Sequence, residues 1–179
     1  MKLSQNIVFK NFQIKKNKKK INKIKKKLIN LVNEKNEIIV SLSKKYKYSF
    51  KIKELSKYKN FFNYRIIGMG GSSLGAKAIY NFLTHKIKKK FYFIDNLKNK
   101  KKLDKKKYLN IVISKSGNTT ETIVNSNLLL KKNSKNIFIT ESKPSYLYSL
   151  AEKLKSEIIH HNNYIGGRYS VLSEVGMLP

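Results

Sequence analysis

The stretch Arg65–Leu83, RIIGMGGSSLGAKAIYNFL, decides the fold because it reads as a strand, a turn and a helix in immediate succession. Ile66 and Ile67 are β-branched and apolar, as a buried strand requires. Three glycines within Gly68–Gly71 then remove the β-carbons that would keep a ligand away from the backbone. The stretch therefore predicts a β-strand followed by a turn to which a ligand has close access.

Ser72 and Ser73 stand where the predicted helix begins. Their hydroxyls and the free N–H groups of the first helical turn are expected to face the same place. The helix dipole adds partial positive charge there, so an anion is the favoured ligand. A tight turn without any ligand is the alternative.

Two familiar phosphate-binding motifs do not fit this turn. A P-loop needs Gly-Lys-Ser or Gly-Lys-Thr after its second glycine, and the sequence has neither. A dinucleotide fingerprint would place glycines at positions 68, 70 and 73, but position 73 is a serine. Asp95 does follow the next predicted strand, which leaves a nucleotide ligand open.

The net charge of +30 is a second prominent feature. Only Arg65 and Arg168 of the 40 basic residues are arginines, so specific nucleic-acid binding, which relies on bidentate arginine contacts, is not expected. The lysines concentrate in Lys15–Lys27 and Lys86–Lys107, away from the glycine-rich motifs, as solvated surface residues would. Weak, salt-sensitive binding to polyanions is the expected consequence.

Cysteine is absent, which excludes a disulfide framework and a thiolate metal site. No apolar run approaches the roughly 18 residues of a membrane span, and the first residues contain no signal-peptide core. We therefore expect no membrane partner and a cytoplasmic location.

Residues 1–63 are predicted to form a helical N-terminal region. Apolar residues at helical spacing predict a long amphipathic helix to about Val40, whose apolar stripe packs on the core rather than on a membrane surface. A weaker helical pattern covers Ile52–Phe62. No chemistry is indicated in this region.

Residues 64–179 are predicted to form one domain in which strands and helices alternate. Beyond the first strand and helix, the predicted strands are Phe91–Ile94, Asn110–Ser114, Asn136–Thr140 and Ile158–His160; the helices are Thr120–Lys132 and Tyr146–Leu154, and Lys98–Lys107 is a short helix or a loop. This alternation indicates an α/β fold with a doubly wound, parallel, five-stranded sheet. Such sheets bind ligands at the carboxyl ends of their strands, where the strand order reverses.

A second hydroxyl-rich turn, Ser114–Thr122 (SKSGNTTET), follows the third strand at another helix N-terminus. Capping of that helix by Thr119 or Ser116 is the structural alternative, but one cap uses only one hydroxyl. Hydroxyls and N–H groups around a phosphate account better for the surplus. We expect both turns to close on one sugar phosphate, with its sugar near Gly71 and Ser72.

Three motifs together carry a resemblance to a known family. IGMGGSSLG and SKSGNTTET resemble the sugar isomerase (SIS) domain, and GGRYSVLSEVGMLP at positions 166–179 is similar to the signature of the glucose-6-phosphate isomerase family. The resemblance covers about residues 64–179. It implies a flavodoxin-like fold and interconversion of glucose 6-phosphate and fructose 6-phosphate in glycolysis and gluconeogenesis, without a metal or cofactor.

The resemblance also implies roles for individual residues. The phosphate-binding loop corresponds to Ser114, Lys115, Ser116 and Thr119, with Thr122 close by, and the substrate contacts correspond to Gly71 and Ser72. Arg168 corresponds to the catalytic arginine that stabilises the negative charge of the enediolate intermediate, a role for which a fixed guanidinium is suited. A surface ion pair is the alternative for Arg168.

The family's catalytic base, its ring-opening histidine and a lysine have no counterpart among these residues. The family implies a homodimer in which the partner subunit donates the histidine. Glu121, Glu141, His160 and His161 are not convincing substitutes, since an adjacent histidine pair is typically polar surface. We therefore expect an N-terminal segment of the enzyme, without the second SIS domain and inactive by itself.

Two other functions stay open at this stage. A non-catalytic SIS module would bind a sugar phosphate without converting it. A lysine-rich nucleic-acid binder would bind its ligand equally well after Ser114→Ala and Ser116→Ala.

Overall fold

Five parallel strands form the centre of the structure, a computed structural model that describes residues 18–34, 36–97 and 106–179. The strands are β1 (Asn63–Ile67), β2 (Lys90–Ile94), β3 (Tyr108–Ile113), β4 (Lys135–Thr140) and β5 (Glu157–His160). Their spatial order is β2-β1-β3-β4-β5. The predicted α/β fold with a five-stranded parallel sheet is thereby confirmed.

The strand order reverses between β1 and β3, which lie side by side. Ile67 at the end of β1 is paired with Val112 of β3 on one side and with Ile94 of β2 on the other. Because both strands are parallel, the turns that follow β1 and β3 emerge at the same edge of the sheet. The predicted neighbourhood of the two turns is confirmed.

Seven α-helices occur in the described residues. They are α1 (Lys18–Asn33), α2 (Glu37–Ser41), α3 (Ile52–Leu55), α4 (Gly71–Leu83), α5 (Thr120–Leu129), α6 (Tyr146–Lys153) and α7 (Glu174–Met177). The predicted crossover helices after β1, β3 and β4 are confirmed as α4, α5 and α6. The predicted helix or loop at 98–107 lies largely outside the described residues, which resume at Lys106.

The N-terminal region is helical, but the predicted single helix to Val40 is wrong. The helix α1 ends at Asn33, and α2 starts anew after Asn36. Asn36 has an extended backbone, and its side chain accepts a hydrogen bond of 2.9 Å from the N–H of Ile38, so it caps a separate helix. The predicted helix at 52–62 is also shorter, because α3 gives way to a 3-10 turn at Ser56–Tyr58. The division into 1–63 and 64–179 stays a prediction.

The two faces of the sheet bury separate apolar clusters. One cluster consists of Ile66, Leu109, Ile111, Ile113, Ile137, Ile139, Ile159 and Val175, and aromatic residues of the N-terminal region pack against it: Phe50, Tyr58 and Phe61. The other consists of Ile67, Ile94, Val112, Phe138, Leu147 and Ala151. Successive strand residues point to opposite faces, so β-branched runs such as that of β3 serve both clusters.

The apolar stripe of α1 does not pack on either cluster, contrary to expectation. Ile24, Leu28 and Val32 are 58%, 57% and 59% exposed. No other element in the described part of the chain covers that face. None of the helices in these residues has the length and hydropathy needed to cross a membrane.

Candidate functional site

The first turn lies against the end of β3. A β-carbon added to Gly68 would lie 2.9 Å from the carbonyl oxygen of Ile113, so the backbones of the two strand ends are in close contact. Helix α4 begins directly after this turn, and Ser72 in its first turn is half-buried. Ser73 is fully buried with its hydroxyl 3.3 Å from the carbonyl oxygen of Gly70, so the expectation that both serine hydroxyls face a ligand is wrong for Ser73.

The second turn joins two of the predicted phosphate ligands directly. The hydroxyls of Ser114 and Thr119 are 2.9 Å apart and hydrogen bonded. Thr119 occupies the N-cap position of α5, but its side chain makes no capping hydrogen bond. Ser116 is exposed and accepts a hydrogen bond of 3.3 Å from the N–H of Asn118. Helix capping therefore does not account for these hydroxyls.

The backbone of this turn is anchored to its neighbours. Gly117 has a φ of +69°, and its carbonyl oxygen accepts a hydrogen bond of 3.0 Å from the N–H of Leu147 in α6. The carbonyl oxygen of Lys115 accepts hydrogen bonds from the hydroxyl of Thr140 at 3.3 Å and from the N–H of Glu141 at 3.1 Å. The shape of the turn is thus fixed by contacts with the end of β4 and with α6.

Two lysines lie beside this turn and share one carboxylate. The ammonium group of Lys115 lies 3.5 Å from Oε1 of Glu141 and also contacts the carbonyl oxygen of Asn163. Lys143 binds the other carboxylate oxygen of Glu141. Burial acts to raise the pKa of Glu141, but the two lysines outweigh it and hold the pKa below its ordinary value. Two cations therefore face Glu141, while a second carboxylate, that of Glu121, lies in the first turn of α5.

Thr122 lies in the first turn of α5 and is fully buried. Its hydroxyl and that of Ser126, one helical turn further on, have no hydrogen-bond partner within the described residues. A buried hydroxyl without a partner is unfavourable, so the hydroxyl of Thr122, which lies in the turn Ser114–Thr122, is a candidate for an interaction with a bound molecule. Ser126 lies outside that turn.

The third motif packs on the first. It forms a 3-10 helix at Gly167–Leu172 followed by α7. A β-carbon added to Gly71 would lie 2.9 Å from Cα of Gly167 and closer still to its carbonyl group. The hydroxyl of Ser170 donates to the carbonyl oxygen of Gly167 at 2.8 Å and lies 3.4 Å from that of Gly71. The structure therefore brings the first and third motifs into direct contact.

Arg168 follows Gly167 at this contact and is exposed. No acidic side chain of the described residues pairs with it, so the alternative of a surface ion pair is wrong within those residues. The other arginine, Arg65, is buried with its guanidinium 3.9 Å from the ring centre of Tyr108, and therefore has a structural environment. Asp95, the candidate ribose ligand of a nucleotide site, forms a 3.4 Å ion pair with Lys77.

Sequence reasoning missed a buried polar cluster behind the third motif. Glu174 is fully buried and accepts hydrogen bonds from Tyr46 and Ser49. His161, which faces it, is only 3% exposed, so the expectation of a surface histidine pair is wrong for this residue, although His160 is exposed. A signal was present, since Glu174 is the only charged residue in the stretch after Arg168.

No group of three or more histidine, aspartate or glutamate side chains in residues 18–34, 36–97 and 106–179 is placed to hold a metal ion. The chemistry available at this site therefore consists of hydroxyls, backbone amides, lysine ammonium groups and one guanidinium.

Comparison with known proteins places the chain in a family. The model of the family described as phosphoglucose isomerase matches residues 13–179. The glucose-6-phosphate isomerase of Acholeplasma laidlawii is 41% identical over 152 residues, which are 73% of this chain and 35% of that protein. The glucose-6-phosphate isomerase of Methanocaldococcus jannaschii is 38% identical over 141 residues, 70% of this chain and 34% of that protein.

A similar fold occurs in the crystal structure of a hypothetical protein from Thermus thermophilus. It superposes with a TM-score of 0.67 at 22% identity, over 90% of this chain and 43% of that one. The chain spans about a third of the length of the two curated relatives described above. The match of the family model over nearly the whole sequence shows that the chain belongs to the phosphoglucose isomerase family.

Proposed function

We propose that this chain provides a sugar-phosphate site for the interconversion of glucose 6-phosphate and fructose 6-phosphate. The observation that carries the proposal is the hydroxyl pair of Ser114 and Thr119, which lies at a helix N-terminus that neither hydroxyl caps. The relatives named glucose-6-phosphate isomerase support the choice of reaction.

The phosphate is proposed to bind at Ser114, Lys115, Ser116 and Thr119. Hydroxyls supply hydrogen-bond donors, the N-terminus of α5 supplies partial positive charge, and the ammonium group of Lys115 adds a full charge. Thr122 is the fifth candidate, because its buried hydroxyl has no partner among the described residues. Together these groups match the charge and the acceptor oxygens of a phosphate monoester.

The sugar is proposed to extend from there toward Gly71 and Ser72, which follow the adjacent strand. Arg168, held next to Gly71 by the contact of Gly167, would then stabilise negative charge on the reacting carbons. Proton transfer between adjacent carbons passes through an enediolate, and a guanidinium nearby lowers the energy of that anion. A homodimer, a cytoplasmic location and independence of metals and cofactors are parts of the same proposal.

A calorimetric titration of the purified chain with fructose 6-phosphate tests the phosphate site. Ser114→Ala removes one hydroxyl of the pair and is expected to weaken binding by about tenfold, the effect of one charge-assisted hydrogen bond. Ser56→Ala is the matched control, because its hydroxyl donates only to the carbonyl oxygen of Lys53 in the same helical turn. Fructose, which lacks the phosphate, should not bind measurably.

Equal binding by the wild type and Ser114→Ala would contradict the phosphate assignment. A lysine-rich polyanion binder predicts that outcome, together with DNA binding that Ser114→Ala leaves unchanged and that salt abolishes.

A further inference from the structure

We propose that Glu174 and Tyr46 are positioning residues that hold the segment 166–176, and with it Arg168, against the turn at Gly71. The inference rests on the proposed function, since it assigns the support on which the proposed catalytic arginine depends. Neither residue contacts the proposed ligand site directly.

The carboxylate of Glu174 is held by residues far away in the sequence. Its Oε2 accepts a hydrogen bond of 2.7 Å from the hydroxyl of Tyr46, and its Oε1 accepts one of 3.0 Å from the N–H of Ser49. The hydroxyl of Ser49 lies 3.1 Å from the same Oε1. Nδ1 of His161 lies 3.7 Å from Oε2.

Residues 46–49, which we call the strap, cross over the third motif. Tyr48 donates a hydrogen bond of 3.2 Å to the carbonyl oxygen of Leu172, two residues before Glu174. The hydroxyl of Tyr46 also accepts a hydrogen bond of 2.9 Å from the amide of Asn162. The strap therefore fixes the segment at two points and ties both to the loop after β5.

The far side of the segment packs on α4. A β-carbon at Gly75 would lie 2.9 Å from the side chain of Val171, and Gly71 lies against Gly167. The segment is thus enclosed between the strap on one side and α4 on the other. The side chain of Arg168 makes no hydrogen bond or ion pair within the described residues, so its position depends on how this enclosure holds the backbone.

A carboxylate is the group suited to this place. It accepts from the strap at both oxygens, and its burial makes each lost hydrogen bond unfavourable. Burial raises the pKa of Tyr46, and the bond to Glu174 raises it further, so the phenol stays a donor. Tyr46→Phe removes that donor and leaves the ring, whereas Glu174→Gln removes the charge and leaves the size.

The structure supplies a matched control for the tyrosine. Tyr58 donates a hydrogen bond of the same 2.7 Å length to a carboxylate oxygen of Glu157 in β5. Tyr58→Phe therefore makes the same chemical change, also between the N-terminal region and the sheet, but away from the segment 166–176.

The test measures amide hydrogen exchange across residues 166–176 and the affinities for fructose 6-phosphate and for inorganic phosphate. Tyr46→Phe and Glu174→Gln are expected to accelerate exchange in this segment by about tenfold, as local opening becomes easier. Both substitutions should lower the affinity for fructose 6-phosphate several-fold, because that ligand reaches Arg168. The affinity for inorganic phosphate, which binds at Ser114 and Thr119, should not change. Tyr58→Phe should leave all three measurements in this part of the chain unchanged.

Unchanged exchange in Tyr46→Phe would overturn the proposal, and so would an equal loss of affinity for both ligands, which indicates general unfolding. If Glu174→Gln does not fold, Tyr46→Phe decides alone, since it removes a single hydrogen bond. A wild-type chain that does not bind fructose 6-phosphate would overturn the proposed function, whereas the exchange measurement needs no ligand and still decides whether the strap holds the segment.

Discussion

Gly71 and Gly167 pack backbone against backbone, with room for no side chain at Gly71. An added β-carbon there would lie 2.9 Å from Cα of Gly167. We expect Gly71→Ala to push the two motifs apart and to lower the free energy of unfolding by about 1–3 kcal/mol, as overpacking does. Chemical denaturation of the two proteins measures this difference.

Gly166→Ala is the control for that substitution. A β-carbon at Gly166 would approach no atom of another residue more closely than 3.6 Å, and the backbone there has an ordinary φ of −70°. Its free energy of unfolding should stay within about 0.5 kcal/mol of the wild type. Similar losses in both variants would show that the close contact of the two motifs does not matter.

Gly117 is expected to fix the shape of the proposed phosphate loop. Its φ of +69° is strained for any residue with a side chain, and an added β-carbon would lie 2.6 Å from Cβ of Ser145. Gly117→Ala should therefore destabilise the chain by about 1 kcal/mol or more and weaken fructose 6-phosphate binding. Thermal denaturation and calorimetric titration measure the two effects.

The double variant Gly117→Ala with Ser145→Gly separates the two causes. Ser145→Gly removes the side chain against which the new methyl group would press, and glycine is tolerated at an N-cap. Gly117→Ala should lower the free energy of unfolding less in the Ser145→Gly background than in the wild-type chain. No recovery would assign the whole effect to the backbone of Gly117.

Thr122 and Ser126 differ in their expected roles, although both have buried hydroxyls without partners in the described residues. Ser126→Ala removes a hydroxyl that nothing satisfies, so the free energy of unfolding should be unchanged or raised by up to about 1 kcal/mol, with unchanged ligand binding. Thr122→Val should have the same small effect on the free energy of unfolding but should lower the affinity for fructose 6-phosphate. Equal affinities of the two variants would remove Thr122 from the proposed site.

Glu174 is expected to make stability depend on acid pH. Burial acts to raise its pKa, but His161 and the hydrogen bonds from Ser49 and Tyr46 outweigh it and lower the pKa to about 2. In the unfolded chain the pKa returns to its ordinary value near 4.5, so protons then favour the unfolded state. The contribution of ionised Glu174 to the free energy of unfolding is fully present above pH 4.5 and is lost as the pH falls from 4.5 toward 2.

Denaturation curves of the wild type and Glu174→Gln across this pH range check that prediction. The difference between the two should shrink toward low pH by no more than about 3 kcal/mol, the upper bound that follows from the pKa shift. His161, Tyr46 and Tyr164 face the same carboxylate and are present in both proteins. Parallel curves would show that Glu174 does not bind its proton differently in the folded state.

The parallel sheet, with its first and third strands as neighbours, was predictable because short β-branched runs alternate with helices and because each motif follows a strand. The runs at Ile66–Ile67 and Ile111–Ile113 are local patterns, and their burial in a parallel sheet follows from composition alone. The meeting of the turns after β1 and β3 also follows, since parallel strands end at the same edge. The roles of the site residues stay predictions.

What the sequence did not reveal depends on contacts between distant residues or on a single cap. Tyr46 and Glu174 are 128 residues apart in the sequence, so the isolated acid after Arg168 gives no indication of the residue that binds it. The apolar pattern continues on both sides of Asn36, so its periodicity predicts a single helix. In the structure the side chain of Asn36 caps the start of a second helix. Ser73 has the same chemistry as Ser72, and only the helix geometry turns its hydroxyl inward.

The apolar side of α1, which no element of the described residues covers, affects how this chain behaves in solution. Repulsion among its lysines opposes self-association at low ionic strength, but added electrolyte weakens that repulsion over distances of about 10 Å at 0.1 M. Aliphatic side chains on neighbouring molecules would then be free to pair. Preparations of this chain should consequently be most monodisperse in dilute buffer.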